Sequence, residues 1–375
     1  MRQKWAVSLM TVAFGLVVTG YGMAAGGTIT LGVVGPLTGD QAEVGQEMIN
    51  AIKMATEEFN ASGAMKGWTI SLNIQDDLGN PNQAALIAQK FVDQAVTAVV
   101  GHWGSGTTAA GIPIYQKARI PVLAPTPSNP ALIKLPDHSF IFRTADSQEM
   151  EGKVLADLFV NKLKKKKIAI LYSNDDWGKS NHKFLVENLS LLKADIVYDK
   201  SYTPGKDIDF QAPLTAIQAA NPDLLYFGAY YNDCALLTRQ AREMGMNQTI
   251  SGSGVDYSDA LIQLGGKASE GMYLDTLFFP ESPDPRDRVF IKNFTAKYGK
   301  APTDNASEAY EGAKVMLEAV RRGGTDREKV RNALEGMTNF VAFNRPVSFS
   351  PANHNSFNSH YITLQVKNGK FVAVQ

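Results

Sequence analysis

From residue 28 onward the chain alternates between two hydrophobic periods. Short, largely apolar runs, TITLGVV, AVTAVVG, IPVLAP, KIAILYS and PDLLYFG among them, read as buried strands. Between them apolar residues recur every three or four positions. Val44, Met48, Ile52, Ala55 and Phe59 form one such stripe, and Ala84, Ile87, Ala88, Phe91 and Val92 form another behind Pro81. Both stripes predict helices with one buried face, and proline suits a first helical turn. WTISLNIQDD alternates instead, with Ile70, Leu72 and Ile74 on one side, as a strand with one buried face does.

A second series starts near Gln148. It runs helix QEMEGKVLADLFVNKL, strand KIAILYS, helix WGKSNHKFLVENLSLL, strand ADIVYDKSY and helix DFQAPLTAIQAA. Strand PDLLYFG, helix DCALLTRQAREMG and a short strand near QTISGSG complete it. The proline-rich FFPESPDPRD breaks the alternation. Two helices follow, RVFIKNFTAKYG and ASEAYEGAKVMLEAVRRG, and YITLQVKNGKFVAVQ predicts a hairpin turning at Asn368-Gly369. Strand–helix alternation predicts parallel sheets covered by helices, so two series predict an α/β chain of two doubly wound domains. Ligands of such sheets sit beyond the C-terminal strand ends. The loops there are GPLTGD, DDLGNP, GHWGSGTT and APTPSNP, then YSNDDWG, GAYYND and SGSGVDYSD.

The N-terminus follows neither period. Arg2 and Lys4 precede an apolar stretch from Trp5 to Val18, and small residues follow at Gly22, Ala24 and Ala25. This predicts a secretory signal peptide over residues 1–25, because the stretch falls short of the roughly 20 residues that span a bilayer. The lone cysteine, Cys234, leaves no thiol at the cut for a lipid anchor and no partner for an intramolecular disulfide. It lies in a helical pattern, where packing is its expected role. The 37 basic and 37 acidic residues of the 375 balance, which leaves no basic excess for nucleic acid.

The loop GHWGSGTT raises the question of chemistry. It lacks the lysine of a phosphate-binding loop. Its glycines at 101, 104 and 106 do not fit a dinucleotide fingerprint. Ser105 lacks the flanking glycines of a hydrolase elbow, since Trp103 and Thr107 stand there. The five histidines, at 102, 138, 182, 354 and 360, show no metal-ligand spacing. No catalytic residue, metal or cofactor is therefore assigned. Two readings of Ser105 remain: it caps its own helix, or it helps the free N–H groups of the first turn hold a carboxylate. Thr126 and Ser128 in the neighbouring APTPSNP add hydroxyls aimed at the same point, which favours a small anion.

These loops carry a resemblance. With LGVVGPLTGDQAEVGQEMINAIKMATEEFNASG, DDLGNPNQAALIAQKFV, FRTADS, IAILYSNDDWGKS, DLLYFGAYYND and RQAREMG, the chain resembles the leucine/isoleucine/valine-binding protein family. These are type I periplasmic solute-binding proteins of ABC importers. The resemblance implies a hinged two-lobed clamshell. One lobe would comprise 27–146 plus 277–350 and the other 147–276 plus 351–375. It implies that a monomer in the periplasm hands a small molecule to a membrane permease. It also implies that Ser105, Thr126 and Ser128 hold a ligand carboxylate, that Tyr230 closes over the ligand, and that Trp103 and Val44 line the pocket. Asp175, Asp176 and Trp177 are read as a helix cap, and one of Tyr230 and Tyr231 as packing.

Two departures from the family pattern stand out. A cysteine pair would fall at Gly79 and Gly104, and both are absent. The acidic residue expected to meet a ligand ammonium would fall at Ser253 or Gly254, and Asp256 replaces it only if the loop shifts. An ammonium buried without a counter-charge costs several kcal/mol. That cost makes an aromatic or aliphatic carboxylic acid a competitor, with a small amide behind it, while the resemblance keeps a branched-chain or other neutral amino acid as the expected ligand. A soluble ligand sensor is the competing role.

Overall fold

The computed structural model describes residues 26–356 and 360–374, so the expected signal peptide lies outside the described residues. The first series folds as β1 (Gly27–Gly35), α1 (Ala42–Ala61), β2 (Trp68–Asp76), α2 (Pro81–Asp93), β3 (Ala98–Gly101), α3 (Ser105–Ala118), β4 (Val122–Ala124) and β5 (Ile141–Arg143). Its strands lie parallel in the order β2-β1-β3-β4-β5. The second series comprises α4 (Gln148–Asp157), β6 (Lys167–Ser173), α5 (Asp176–Leu191), β7 (Asp195–Tyr202), α6 (Gln211–Ala220) and β8 (Leu224–Gly228). It continues through α7 (Tyr231–Glu243), β9 (Thr249–Ser251), α8 (Asp259–Gly265) and β10 (Tyr273–Thr276). Then come α9 (Pro285–Tyr298), α10 (Asp304–Gly323), α11 (Arg327–Glu335), the short pair β11 (Phe340–Val341) and β12 (Pro346–Val347), and the hairpin β13 (Ile362–Lys367) and β14 (Lys370–Val374).

The hairpin joins the second sheet antiparallel, giving the order β14-β13-β10-β9-β8-β6-β7. β8 lies inside that sheet, which is why LLYFG is buried at every position. α2 begins as its sequence predicts: Asn80 accepts the N–H groups of Asn82 and Gln83, and Pro81 needs no acceptor. Six elements are absent from the sequence pattern read above: β5, α8, β10, α11, β11 and β12. The helix predicted through Leu163 is α-helical only to Asp157 and ends in a π-helical turn, Leu158–Lys162.

α10 closes the first lobe. It packs on α1 and on β3 and β4, and buries Ala306, Ala309, Ala313, Met316 and Val320. Gly312 permits the approach to β4, since a Cβ there would stand 2.8 Å from both Leu123 Cδ2 and Pro125 Cβ. Gly312→Val is expected to cost about 1–3 kcal/mol in urea unfolding. An unchanged midpoint would show this contact to be pliant.

The chain leaves the first sheet after β5, returns to that lobe after β10, and leaves it again after Asn355, which bridges Arg143 of β5. Residues 353–356, grouped above with the second domain, bond to β5: the Arg143 N–H donates to His354 O and the Ser356 N–H to Arg143 O, both at 2.9 Å. The two lobes also touch directly across their cleft. The Tyr231 hydroxyl and Asn232 Nδ2 both donate to Asp40 O at 2.6 Å, and Ser258 donates to Glu43 at 2.7 Å.

Candidate ligand site

A cavity lies where the C-terminal strand ends of both sheets face each other, beside the segments that pass between lobes. Its first wall is the loop from β3 into α3. Gly101 turns this loop with φ +134°, where a Cβ would stand 2.3 Å from Val34 O, so only glycine fits. Below it His102 is fully buried, with Nδ1 2.7 Å from Asp77 Oδ2 and Nε2 3.0 Å from the Tyr115 hydroxyl. That chain of three side chains anchors the loop to the end of β2 and to α3.

The first turn of α3 has no side-chain cap. Thr107 and Thr108 turn their hydroxyls back onto Gly104 O, at 2.9 and 2.7 Å. The start of a helix carries free N–H groups and partial positive charge, and here it opens on the cavity through Ser105. Thr126 donates its hydroxyl to Trp103 O at 2.8 Å. That proton is committed to joining the two loops and does not face the cavity as a donor.

Three aromatic rings form the second wall. Tyr230 lies 5.7 Å from Trp103 and 5.1 Å from Trp177, centroid to centroid. Trp103 Nε1 donates to Asn305 Oδ1 at 2.7 Å, which ties the wall to α10. The Tyr230 hydroxyl donates to Asp175 Oδ2 at 2.7 Å while Oδ1 of the same carboxylate accepts the Gly178 N–H at 2.8 Å. Asp175 is therefore a helix cap and a positioning group at once. Trp177, buried beside it, lines the cavity with an indole Nε1 that has no partner.

The third wall is acidic. Asp146 from the first crossing segment, Glu151 from α4, Asp275 from β10, and Asp304 and Glu308 from α10 all line the cavity. No Lys, Arg or His lines it with them. Burial pushes these groups up, and neighbouring carboxyls add to it for Glu151 and Asp304: Asp146 rises to about 6 against the pull of Tyr361, Arg143 and Arg345, and Glu151 and Asp304 rise to about 7. Asp275 and Glu308 rise for the same reasons. Asn181 Nδ2 donates to Glu151 at 3.1 Å and the Thr276 hydroxyl to Asp304 at 3.0 Å. Asp275 is 1% exposed and neither of its carboxylate oxygens has a partner.

Of the residues singled out from sequence, Ser105, Thr126, Ser128, Tyr230 and Trp103 meet in this cavity. Val44 does not line it: it sits inside the core of the first lobe, on the buried stripe of α1. Ser253 and Asp256 also lie outside the lining. They are buried behind the short helix Gly254–Asp256, where the Ser253 N–H donates to Asp256 Oδ2 at 3.0 Å. Gly254 and Val255 of that helix reach the cavity instead. Tyr231 is buried and packs between the lobes, and Cys234 is buried in α7.

Trp177 was read from sequence only as part of a helix cap, and the five carboxyls were not among the residues read. One signal for them existed. Asp304 and Glu308 stand one turn apart on a helix that also buries a long apolar stripe. Asp275 had none, because the strand that carries it was itself unpredicted.

The family model for periplasmic binding proteins matches residues 28–370. A leucine-, isoleucine-, valine-, threonine- and alanine-binding protein of Pseudomonas aeruginosa is 30% identical over 320 residues, covering 85% of this chain and 84% of that protein. A leucine-specific-binding protein of Salmonella typhimurium is 29% identical, covering 72% of each. Among solved structures, the branched-chain amino acid transporter substrate binding protein of Streptococcus pneumoniae, in complex with isoleucine, superimposes with a TM-score of 0.85. It is 26% identical, and the match covers 92% of this chain and 98% of that one.

Proposed function

The chain belongs to the periplasmic binding protein family, and from that premise we propose that it is the solute-binding component of an ABC importer whose ligand is a small amino acid. The observation that carries this reading is the cavity's polarity. An uncapped helix start at Ser105 faces a group of carboxyls across one enclosed space. A zwitterion is complementary to both ends. Its carboxylate would take the first turn of α3 beside Ser105 and Ser128, and its ammonium would face Glu151. The aromatic wall would cover the carbon skeleton.

The interlobe bonds through Asp40 and Glu43 support a closing motion about the crossing segments. The closed form would dock on a membrane permease, and the protein would work as a monomer in the periplasm. The ammonium requirement disfavours aromatic and aliphatic carboxylic acids, whose lone negative charge would be repelled by the acidic wall.

The test is thermal unfolding of the chain without residues 1–25 against amino acids, the matching carboxylic acids lacking the amine, and small amides. A ligand that binds only the folded state raises Tm, by about 2.7 kcal/mol of stability at a hundredfold excess over Kd. At least one amino acid is expected to raise it, and its deaminated analogue is not. Equal shifts with acid and amino acid would overturn the reading.

A further inference from the structure

The acidic wall holds more carboxyls than one ammonium needs. Five carboxyls from the first crossing segment, α4, β10 and α10 converge on one space without a single basic side chain among its lining residues. Arg345 and Arg143 stand behind the wall. Arg345 is paired with Glu311 and bonds to Thr144 O and Ser356 O, and Arg143 bonds to Asn355 and Pro127 O. Asp275 is decisive. It projects from the end of a strand, fully buried, with both oxygens unpartnered, within electrostatic range of Asp146, Glu151 and Asp304. Leaving such a group without a donor is costly, so the site is incomplete as it stands.

The chemistry of the missing partner can be narrowed. Among the described residues, no group of three or more His, Cys, Asp or Glu side chains is placed to hold a metal ion. The carboxyls therefore surround a larger, organic charge. Unfilled acceptor oxygens call for N–H donors, which a quaternary ammonium lacks. The unpartnered Trp177 Nε1 and the open turn of α3 call for an acceptor on the same ligand.

We propose that the cavity takes an amino acid with a second cationic nitrogen, a diamino or guanidino acid, with Asp275, Asp304 and Glu308 receiving the charge that the α-ammonium does not bring. This rests on the amino-acid reading of the same site. The α-carboxylate keeps the Ser105 end, near the indole of Trp177. The carbon chain crosses the rings of Trp103 and Tyr230, where a cation gains further from the ring faces. Both nitrogens end among carboxylates.

Matched pairs that differ in charge and little in shape test it: arginine against citrulline, and lysine against norleucine, by calorimetry. The cationic member is expected to bind about 100-fold more tightly. Asp275→Asn, and separately the partly exposed Glu308→Gln, should weaken arginine or lysine at least tenfold while leaving citrulline and norleucine unchanged. A purely structural role would weaken all four alike.

Equal affinity within each pair, or no binding of either cation, overturns the inference. If neutral amino acids bind and cations do not, the amino-acid reading survives without it. If putrescine or agmatine binds as tightly as lysine or arginine, the acidic wall stands as a cation site and the carboxylate end of the amino-acid reading falls.

Discussion

The unliganded protein is expected to lose stability as pH rises from 5.5 to 7.5. The carboxyls of Asp146, Glu151, Asp304 and Glu311 are pushed up to between about 6 and 7, first by burial, and those of Asp275, Glu308 and Asp256 rise further. In the unfolded chain such groups titrate near pH 4. Between pH 4 and 7 the folded state therefore holds more protons than the unfolded state, and stability falls with rising pH. Each group that keeps its proton across one pH unit contributes about 1.4 kcal/mol to that fall. Two such groups give about 3 kcal/mol per unit, which for a chain of this size lowers Tm by roughly 4 °C.

Other shifted groups do not cancel the effect. Asp284, held down to about 2 by Arg286, and Asp76, held down chiefly by the Thr38 hydroxyl, change charge below the window. His354, pushed down by burial, works in the opposite sense, but it is a single group. Calorimetric melts at half-unit steps measure the slope. A Tm that is flat or rising from pH 5.5 to 7.5 would mean that water reaches these carboxyls and keeps them charged. A bound cation that pairs with the acidic wall should flatten the slope.

Arg345→Met is expected to give the largest mutational loss, and a pH-dependent one. Arg345 pairs with buried Glu311, lowers the charge cost of Glu308 and Asp146, and donates to Thr144 O at 2.8 Å and Ser356 O at 3.0 Å. Glu311 stays near 7 even with this partner, so at pH 5.5 it is neutral in both proteins. There the variant loses only the hydrogen bonds and packing of the guanidinium, about 1–3 kcal/mol. At pH 8.5 the wild type carries an ionised, paired Glu311, while the variant must protonate it or leave it unpaired. The loss should grow to about 3–5 kcal/mol. Adding Glu311→Gln to the variant should remove the growth with pH and leave the smaller term. Urea melts at the two pH values separate these. A loss that is equal at both would show that the guanidinium acts through its backbone bonds alone.

Much of the architecture was legible because it rests on periodicity. The helix TTAAGIPIYQKA was predicted straight through Pro113, and α3 does run through it. The buried runs of β1, β6 and β8 could hardly be anything else. β10 was not seen because GMYLDTLFF carries a carboxylate in mid-run, and a charge there argues against a buried strand. That same carboxylate is the most telling group in the cavity.

The site divided along similar lines. Ser105, Thr126 and Ser128 sit in loops at strand ends, where chain order alone predicts a binding edge. The counter-charge was sought in one short segment, SGSGVD, where a local rule placed it. The carboxyls that line the cavity are scattered between 146 and 308, and only the crossings of the chain bring them together. Val44 shows the converse: its helical register was right, and that register points it into the core.

The placement of α10 also sets a timetable. The strands of the first sheet are all present once residue 143 has been made, yet the helix that covers β3, β4 and the stripe of α1 begins at Asp304. At ordinary rates of synthesis, about 5–20 residues per second, those apolar faces wait roughly 8–36 s past the end of β4 for their cover. The first lobe cannot close as it emerges from the ribosome. A late-completing lobe keeps the front of the molecule unlocked until its own tail arrives.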